Sequence, residues 1–74
     1  MTSNAPRSQA VASAFAEFPP VLTSDGVADL LAMSVHEVRR LTRSGDLPAR
    51  RIGKAYRYFR DEVVDWLDSK KLKT

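Results

Sequence analysis

The positive charge of this sequence is concentrated in one short stretch. Residues 39–60 contain eight of the twelve lysines and arginines but only one acid, Asp46, whereas residues 61–68 contain four acids and no base. Arginine donates paired hydrogen bonds to phosphate or to the O6 and N7 atoms of guanine. Clustered positive charge is typical of a nucleic-acid-binding surface, although an ordinary solvated face would carry similar charges.

The composition excludes several other kinds of site. The 74 residues include no cysteine and a single histidine, His36, so a disulfide or a cysteine- or histidine-based metal cluster cannot form within the chain. We therefore expect no metal and no cofactor. No apolar run approaches the roughly 20 residues that cross a membrane, and no signal-peptide pattern is present, so we expect a cytoplasmic protein with no membrane partner. A chain this short leaves little room for an enclosed catalytic pocket, and no enzyme activity is predicted.

Two short helices are predicted to position the first basic residues. Thr23 is a favourable N-cap for a helix over residues 23–31, in which apolar residues recur at helical spacing. Ser34 is a favourable N-cap for a second helix over residues 35–44. Gly45 is predicted to end this second helix in a left-handed conformation.

The second helix is predicted to be amphipathic. At about 100° per residue, Val38, Leu41 and Thr42 fall on one side. The opposite side, here called the cationic face, consists of His36, Arg39, Arg40 and Arg43. These side chains, together with Ser34 at the start of the helix, are predicted to contact DNA. Glu37 is expected to neutralise little of this charge, because it would complete a capping box with Ser34.

A β-hairpin is predicted over residues 49–58. Gly53 and Lys54 fit a two-residue loop with glycine in the first position. Ile52 and the two tyrosines are expected to pack on the helices, because so small a hairpin is not stable alone. The basic side chains of the hairpin are expected to face solvent and to contact DNA; they are Arg50, Arg51, Lys54 and Arg57.

A last helix is predicted over residues 62–71, with Asp61 as its N-cap. Val63, Trp66 and Leu67 form its apolar stripe, so the tryptophan is expected in the core. The acids of this region are explained by the helix N-terminus and by a solvated face rather than by catalysis.

The chain is predicted to divide into a leader, residues 1–20, and a DNA-binding domain, residues 21–74. The leader is expected to be disordered or to form a short helix that ends at Pro19-Pro20. Phe15 and Phe18 are predicted to anchor an adjacent copy of the protein on DNA. The alternatives are that this segment packs on its own core or remains disordered.

These elements predict a mainly α fold with a small β-hairpin, a winged helix-turn-helix. In such folds the second helix enters the major groove, which is about 12 Å wide, and the hairpin, or wing, lies along the adjacent backbone.

Residues 22–68 resemble the excisionase-type DNA-binding domain, a branch of the MerR-like winged helices. The resemblance rests on four motifs, which are VAxLLxxS over residues 27–34, Gly-x-Leu-Pro over residues 45–48, Tyr56-Arg57-Tyr58 after the wing glycine Gly53, and Trp66-Leu67 in the last helix. Gly26 stands where the family usually has glutamate, and the leader lies outside the resemblance.

The resemblance implies an accessory factor for site-specific recombination. Such proteins bind repeated sites in double-stranded DNA, often cooperatively with other copies of themselves, and bend the DNA. In phages they also contact an integrase and direct excision, and the absence of an effector domain in this sequence favours that interpretation. A small transcriptional regulator of the same family is the alternative, and a protein-interaction module without a DNA role is a remote one.

Overall fold

Three short helices and a three-stranded antiparallel sheet make up residues 15–72, the part of the chain that the computed structural model describes. In chain order the elements are β1 (Val21–Leu22), α1 (Ser24–Leu31), α2 (Val35–Ser44), β2 (Arg50–Ile52), β3 (Ala55–Phe59) and α3 (Arg60–Ser69). The strand order in the sheet is β1-β3-β2. This architecture confirms the predicted winged helix-turn-helix.

The first two helices begin and end as their sequences predict. The side chains of Thr23 and Ser34 each accept a hydrogen bond from the backbone N–H three residues later, at 3.1 Å. Gly45 ends α2 with a φ of 84°, and its N–H donates to backbone carbonyls of the last turn. Ala32 ends α1 in the same left-handed conformation, with a φ of 56°, which makes the turn between the helices tight.

Strand β1 was not predicted from the sequence. Val21 pairs with Phe59 and Leu22 pairs with Tyr58, so the segment before α1 forms one edge of the sheet. The strand is only two residues long, and its partner lies more than thirty residues later in the chain. Local patterning therefore gives no signal for it.

The core lies between the helices and the inner face of the sheet. Its buried apolar residues are Leu22, Val27, Ala28, Leu30, Val38, Leu47, Tyr58, Val63 and Val64. Leu41 and Thr42 are half-buried beside Val38, as the helical angles predict. Because every helix and two of the strands contribute to this core, it fixes α2 against the wing.

The prediction that Asp61 caps the last helix was wrong. Strand β3 runs directly into α3, whose N-cap is Phe59, and no side chain caps this end. The backbone N–H of Arg60 instead donates to the carbonyl oxygen of Pro20 at 2.8 Å. Asp61 lies in the first turn, where a carboxylate is still favourable near the helix N-terminus.

The apolar stripe of α3 also differs from the prediction. Val63 and Val64 are buried, whereas Leu67 is 38% exposed. Trp66 is half-buried and packs against the core rather than lying within it. The helix therefore rests on the sheet by its first two turns, and its end projects beyond the core.

The wing has the predicted two-residue loop, because Ile52 pairs directly with Ala55 and Gly53 has a φ of 63°. The prediction that Ile52 packs on the helices was wrong, since it is 66% exposed. Side chains alternate along a strand, and Tyr58 occupies the inner face of β3. Ile52 lies opposite Ala55, on the outer face.

The described part of the leader packs against its own chain. Phe15 and Phe18 are half-buried against the core, with their ring centroids 6.3 Å apart. Arg60 Nη1 donates to the carbonyl oxygen of Phe18 at 2.7 Å. This is the arrangement that the sequence left as an alternative, and the contact between copies stays a prediction. Residues 1–14 and the predicted leader structure there lie outside the described residues.

Candidate nucleic-acid interface

The cationic face of α2 points to solvent. All four of its side chains are exposed, while Val38 on the other side of the helix is fully buried. Ser34, at the start of the helix, is also exposed, and its oxygen accepts the capping hydrogen bond from Glu37. Its own hydroxyl hydrogen therefore stays available to donate to a phosphate.

Glu37 pairs with Arg40 instead of completing the capping box. Arg40 Nε donates to Glu37 Oε1 at 3.0 Å, and Arg40 Nη2 donates to Glu37 Oε2. The hydrogen bond from Arg40 lowers the pKa of the Glu37 carboxyl. The predicted capping box forms only in part. The backbone N–H of Glu37 donates to Ser34 Oγ, but its carboxylate pairs with Arg40, because an arginine one turn later offers a charged, two-pronged partner.

The other two arginines of this face, Arg39 and Arg43, are not neutralised by an ion pair within the described part of the chain. Over residues 15–72, no acidic side chain forms an ion pair with His36, Arg39 or Arg43. The cationic face of α2 therefore carries positive charge that no acid of the described residues compensates. Phosphates or guanine edges would satisfy these donors.

The tip of the wing carries two exposed cations. Arg51 Nε donates to the carbonyl oxygen of Gly53 at 3.1 Å, which ties this side chain to the loop. Lys54, next to Gly53, is exposed. Since Gly53 has no side chain, the backbone of the tip can approach a DNA strand closely.

The two arginines at the base of the wing are more restrained than predicted. Arg50 pairs with Glu62, with a distance of 3.1 Å between Nη2 and Oε2, and its guanidinium lies 4.8 Å from the centre of the Phe59 ring. Arg57 is half-buried, and its Nη1 donates to the Tyr56 carbonyl oxygen at 2.8 Å. The expectation that Arg57 faces solvent is met only in part, since this residue is half-buried.

One cleft joins the cationic face to the wing. It has a volume of about 450 Å³ and is lined by Thr23, Ser24, Asp25, Arg39, Lys54, Ala55, Tyr56 and Arg57. Cations from α2 and from the hairpin thus meet at one opening, with a single acid, Asp25, among the lining residues. This geometry suits a segment of sugar-phosphate backbone that passes between helix and wing.

Asp46, the only acid within the basic stretch, is also engaged. Its Oδ1 accepts a hydrogen bond from Lys70 Nζ at 3.1 Å and a longer one from Trp66 Nε1 at 3.5 Å. The hydrogen bond from Lys70 is the main cause of the lowered pKa of the Asp46 carboxyl. This acid ties the corner after α2 to α3.

The hydroxyl of Tyr58 was not predicted as part of the site. It lies in the core between two helices and contacts Ser24 and Thr42. The available signal was the strand alternation, which places Tyr58 on the opposite face from Arg57. A buried tyrosine hydroxyl requires a hydrogen-bond partner, and the two helices contain several hydroxyl side chains.

No group of three or more possible ligands in residues 15–72 could hold a metal ion. No helix of the same region has the length and apolar character to span a membrane.

A family model described as a helix-turn-helix domain matches residues 21–71 of this chain, which is more than half of its length. The chain therefore belongs to the helix-turn-helix domain family, a class of DNA-binding domains. No curated protein sequence gives a significant match.

Proposed function

We propose that this protein is a sequence-specific DNA-binding and DNA-bending accessory factor. Together with an integrase, it directs excision in site-specific recombination by a phage or related element. The observation that carries the proposal is the exposed cationic face of α2 beside a cleft that it shares with the wing. The resemblance of residues 22–68 to excisionase-type, MerR-like domains supports the recombination role.

In the proposed complex, α2 lies in the major groove and the wing follows the adjacent backbone. His36, Arg40 and Arg43 read base edges, and Arg39 contacts the phosphates in the cleft. Ser34 and the wing residues Arg51 and Lys54 add further phosphate contacts, while Arg50 and Arg57 at the base of the wing add positive charge nearby. The role is structural, and it involves no catalysis and no cofactor.

The proposed target contains repeated sites that several copies occupy side by side. Binding to neighbouring sites raises the effective concentration of each copy for the next one, so weak contacts between copies suffice. A chain anchored on both the groove and the flanking backbone can also stabilise a bend, because bending brings more phosphates to its basic surface.

The DNA-binding part of the proposal is tested by selection from a pool of randomised DNA duplexes, followed by fluorescence anisotropy. The winning sequence, called here the selected duplex, is compared with a scrambled duplex of the same composition. We expect tighter binding to the selected duplex and a steep loss of affinity with salt on both, since phosphate contacts release counterions. Binding that does not depend on salt, or selection that enriches no sequence, would contradict the proposal.

The excision role is tested by locating the selected sequence in the source genome. We expect several copies within the attachment region of an integrating element. Adding the purified chain to that element's integrase and a joined attachment-site substrate should raise the yield of excised product, and Arg40→Ala should lower this effect. If the sites lie only in promoters and the purified chain has no effect on excision, the alternative function as a transcriptional regulator is favoured instead.

A further inference from the structure

A chain of hydroxyl groups joins the wing to both helices of the helix-turn-helix. The Tyr58 hydroxyl lies 2.6 Å from Thr42 Oγ1 and 3.2 Å from Ser24 Oγ. Thr42 Oγ1 in turn donates to the carbonyl oxygen of Val38 at 2.8 Å. Tyr58 is only 1% exposed and Ser24 only 9%, so solvent competes little with these contacts.

The number of hydrogens fixes the direction of this chain. A threonine hydroxyl has a single hydrogen, and that of Thr42 is donated to Val38. Tyr58 must therefore donate to Thr42, and Ser24 must donate to Tyr58. The result is a chain of hydrogen bonds with one direction, here called the relay, from Ser24 on α1 through Tyr58 on β3 to Thr42 on α2. Tyr58 and Thr42 each accept one hydrogen bond and donate another.

We propose that Tyr58 is a positioning residue for DNA recognition, whose hydroxyl sets the orientation of α2 relative to the wing. This inference rests on the proposed function. Apolar packing is not directional, whereas hydrogen bonds have narrow limits of distance and angle. The relay is therefore the part of the contact between α2 and the wing that can favour one packing arrangement over closely similar ones.

The position of Thr42 explains why the relay would matter for DNA. Thr42 follows Leu41 on the buried side of α2, and Arg43 next to it belongs to the cationic face. A rotation of α2 that moves Thr42 also moves Arg39 and Arg43. Ser24 and Arg39 line the same cleft as the wing residues, so the relay connects the structures that form both walls of this cleft.

The experiment compares four variants that separate positioning from stability. Tyr58→Phe removes the relay's central hydroxyl and keeps the ring, and Thr42→Val removes the acceptor on α2. Thr42→Ser keeps a hydroxyl at that position. Val63→Ala is the matched control, because Val63 is fully buried on α3, has no hydroxyl group and does not line the cleft.

The first measurement is made on the free protein, at a temperature at which circular dichroism shows all variants folded. Residual dipolar couplings report the orientation of α2 relative to β2 and β3. We expect Tyr58→Phe and Thr42→Val to change this orientation, and Thr42→Ser and Val63→Ala to preserve it. Unchanged couplings in Tyr58→Phe would overturn the inference whether or not the protein binds DNA specifically.

The second measurement is the ratio of affinities for the selected and scrambled duplexes. We expect Tyr58→Phe and Thr42→Val to lower this ratio about tenfold, the effect of one hydrogen bond, and the other two variants to leave it within about twofold. An equal loss in Val63→Ala would show that stability alone is responsible. A wild-type ratio of one would instead contradict the proposed function, and the dipolar couplings would then decide the inference by themselves.

Discussion

Arg40 and Glu37 form a two-pronged ion pair on the surface of α2, with 3.0 Å between Nε of the arginine and Oε1 of the glutamate. Both side chains are substantially exposed, at 56% and 39%. Exposed pairs contribute little to stability, so a guanine or a phosphate can replace Glu37 as the partner of Arg40. In the absence of DNA, the ion pair with Glu37 holds the guanidinium of Arg40 in one orientation.

The first prediction follows from this pair. Replacing Arg40 by alanine is expected to cost about 1–3 kcal/mol of binding free energy on the selected duplex, because a two-pronged base contact is lost. The loss on the scrambled duplex should be much smaller. Fluorescence anisotropy on both duplexes measures the difference.

Glu37→Gln is the companion variant, since it removes the partner's charge and keeps the backbone N–H that Ser34 caps. We expect it to bind both duplexes more tightly, while Asp65→Asn on α3 changes neither. Equal losses of affinity on the two duplexes in Arg40→Ala would mean that Arg40 contacts phosphate rather than a base.

The second prediction concerns the tip of the wing. Lys54→Ala should weaken binding to both duplexes and reduce the slope of log K against log salt by about one, the value expected for one lost phosphate contact. Lys71→Ala, an exposed lysine just after α3, is the matched control. A changed preference for sequence with an unchanged slope would show that the tip reads bases or groove width.

The sequence was sufficient to predict the part of the site that depends on one helix. The caps at Ser34 and Gly45 and the angular spacing of Val38 against the arginines are local features, and the structure confirms them. The pairing of Glu37 with Arg40 was missed because two local partners competed for one carboxylate. Either partner was compatible with the spacing.

The errors in the wing and the last helix have a different origin. The pairing of Val21 with Phe59 depends on residues far apart in the chain. The same pairing carries the chain directly into α3 and makes a cap at Asp61 unnecessary. The exposure of Ile52 depends on which face of the sheet meets the helices, and the short strands do not specify this by their composition.

The third prediction concerns stability in acid. The lowered pKa of Asp46 means that its interaction with Lys70 stabilises the fold above the ordinary carboxyl pKa, 3.8, and that this contribution is lost as the pH falls through the lowered value. We expect Asp46→Asn to flatten the fall of the melting temperature below that pH by a small amount, because the pair is exposed. Melting curves followed by circular dichroism between neutral and acidic pH test this, and parallel curves for the two proteins would contradict it.

The fourth prediction concerns the leader. Phe18 is half-buried against the core and its carbonyl accepts a hydrogen bond from Arg60. Phe18→Ala should therefore lower the free energy of unfolding by about 1–2 kcal/mol, less than the loss of a fully buried phenylalanine. Urea denaturation measures this change.

The same variant also tests whether the leader has a role in assembly. A contact between copies predicts a different pair of results for this variant. The free energy of unfolding would stay unchanged, and binding to a DNA fragment with several copies of the selected site would become less cooperative. Phe15→Ala is examined in parallel, because the two rings contact each other.

The most direct test of the account is a nuclear magnetic resonance titration of the ¹⁵N-labelled chain with the selected duplex. We expect the largest changes in backbone and side-chain signals on the cationic face of α2 and on the wing tip around Lys54. Signals of the solvent-exposed acids of α3, such as Asp65, should change little. The claim that α2 and the wing form the DNA-binding surface would be contradicted by the opposite result. In that result the changes are centred on α3 or on the outer face of the sheet around Ile52, and the signals of Arg39 and Arg43 do not move.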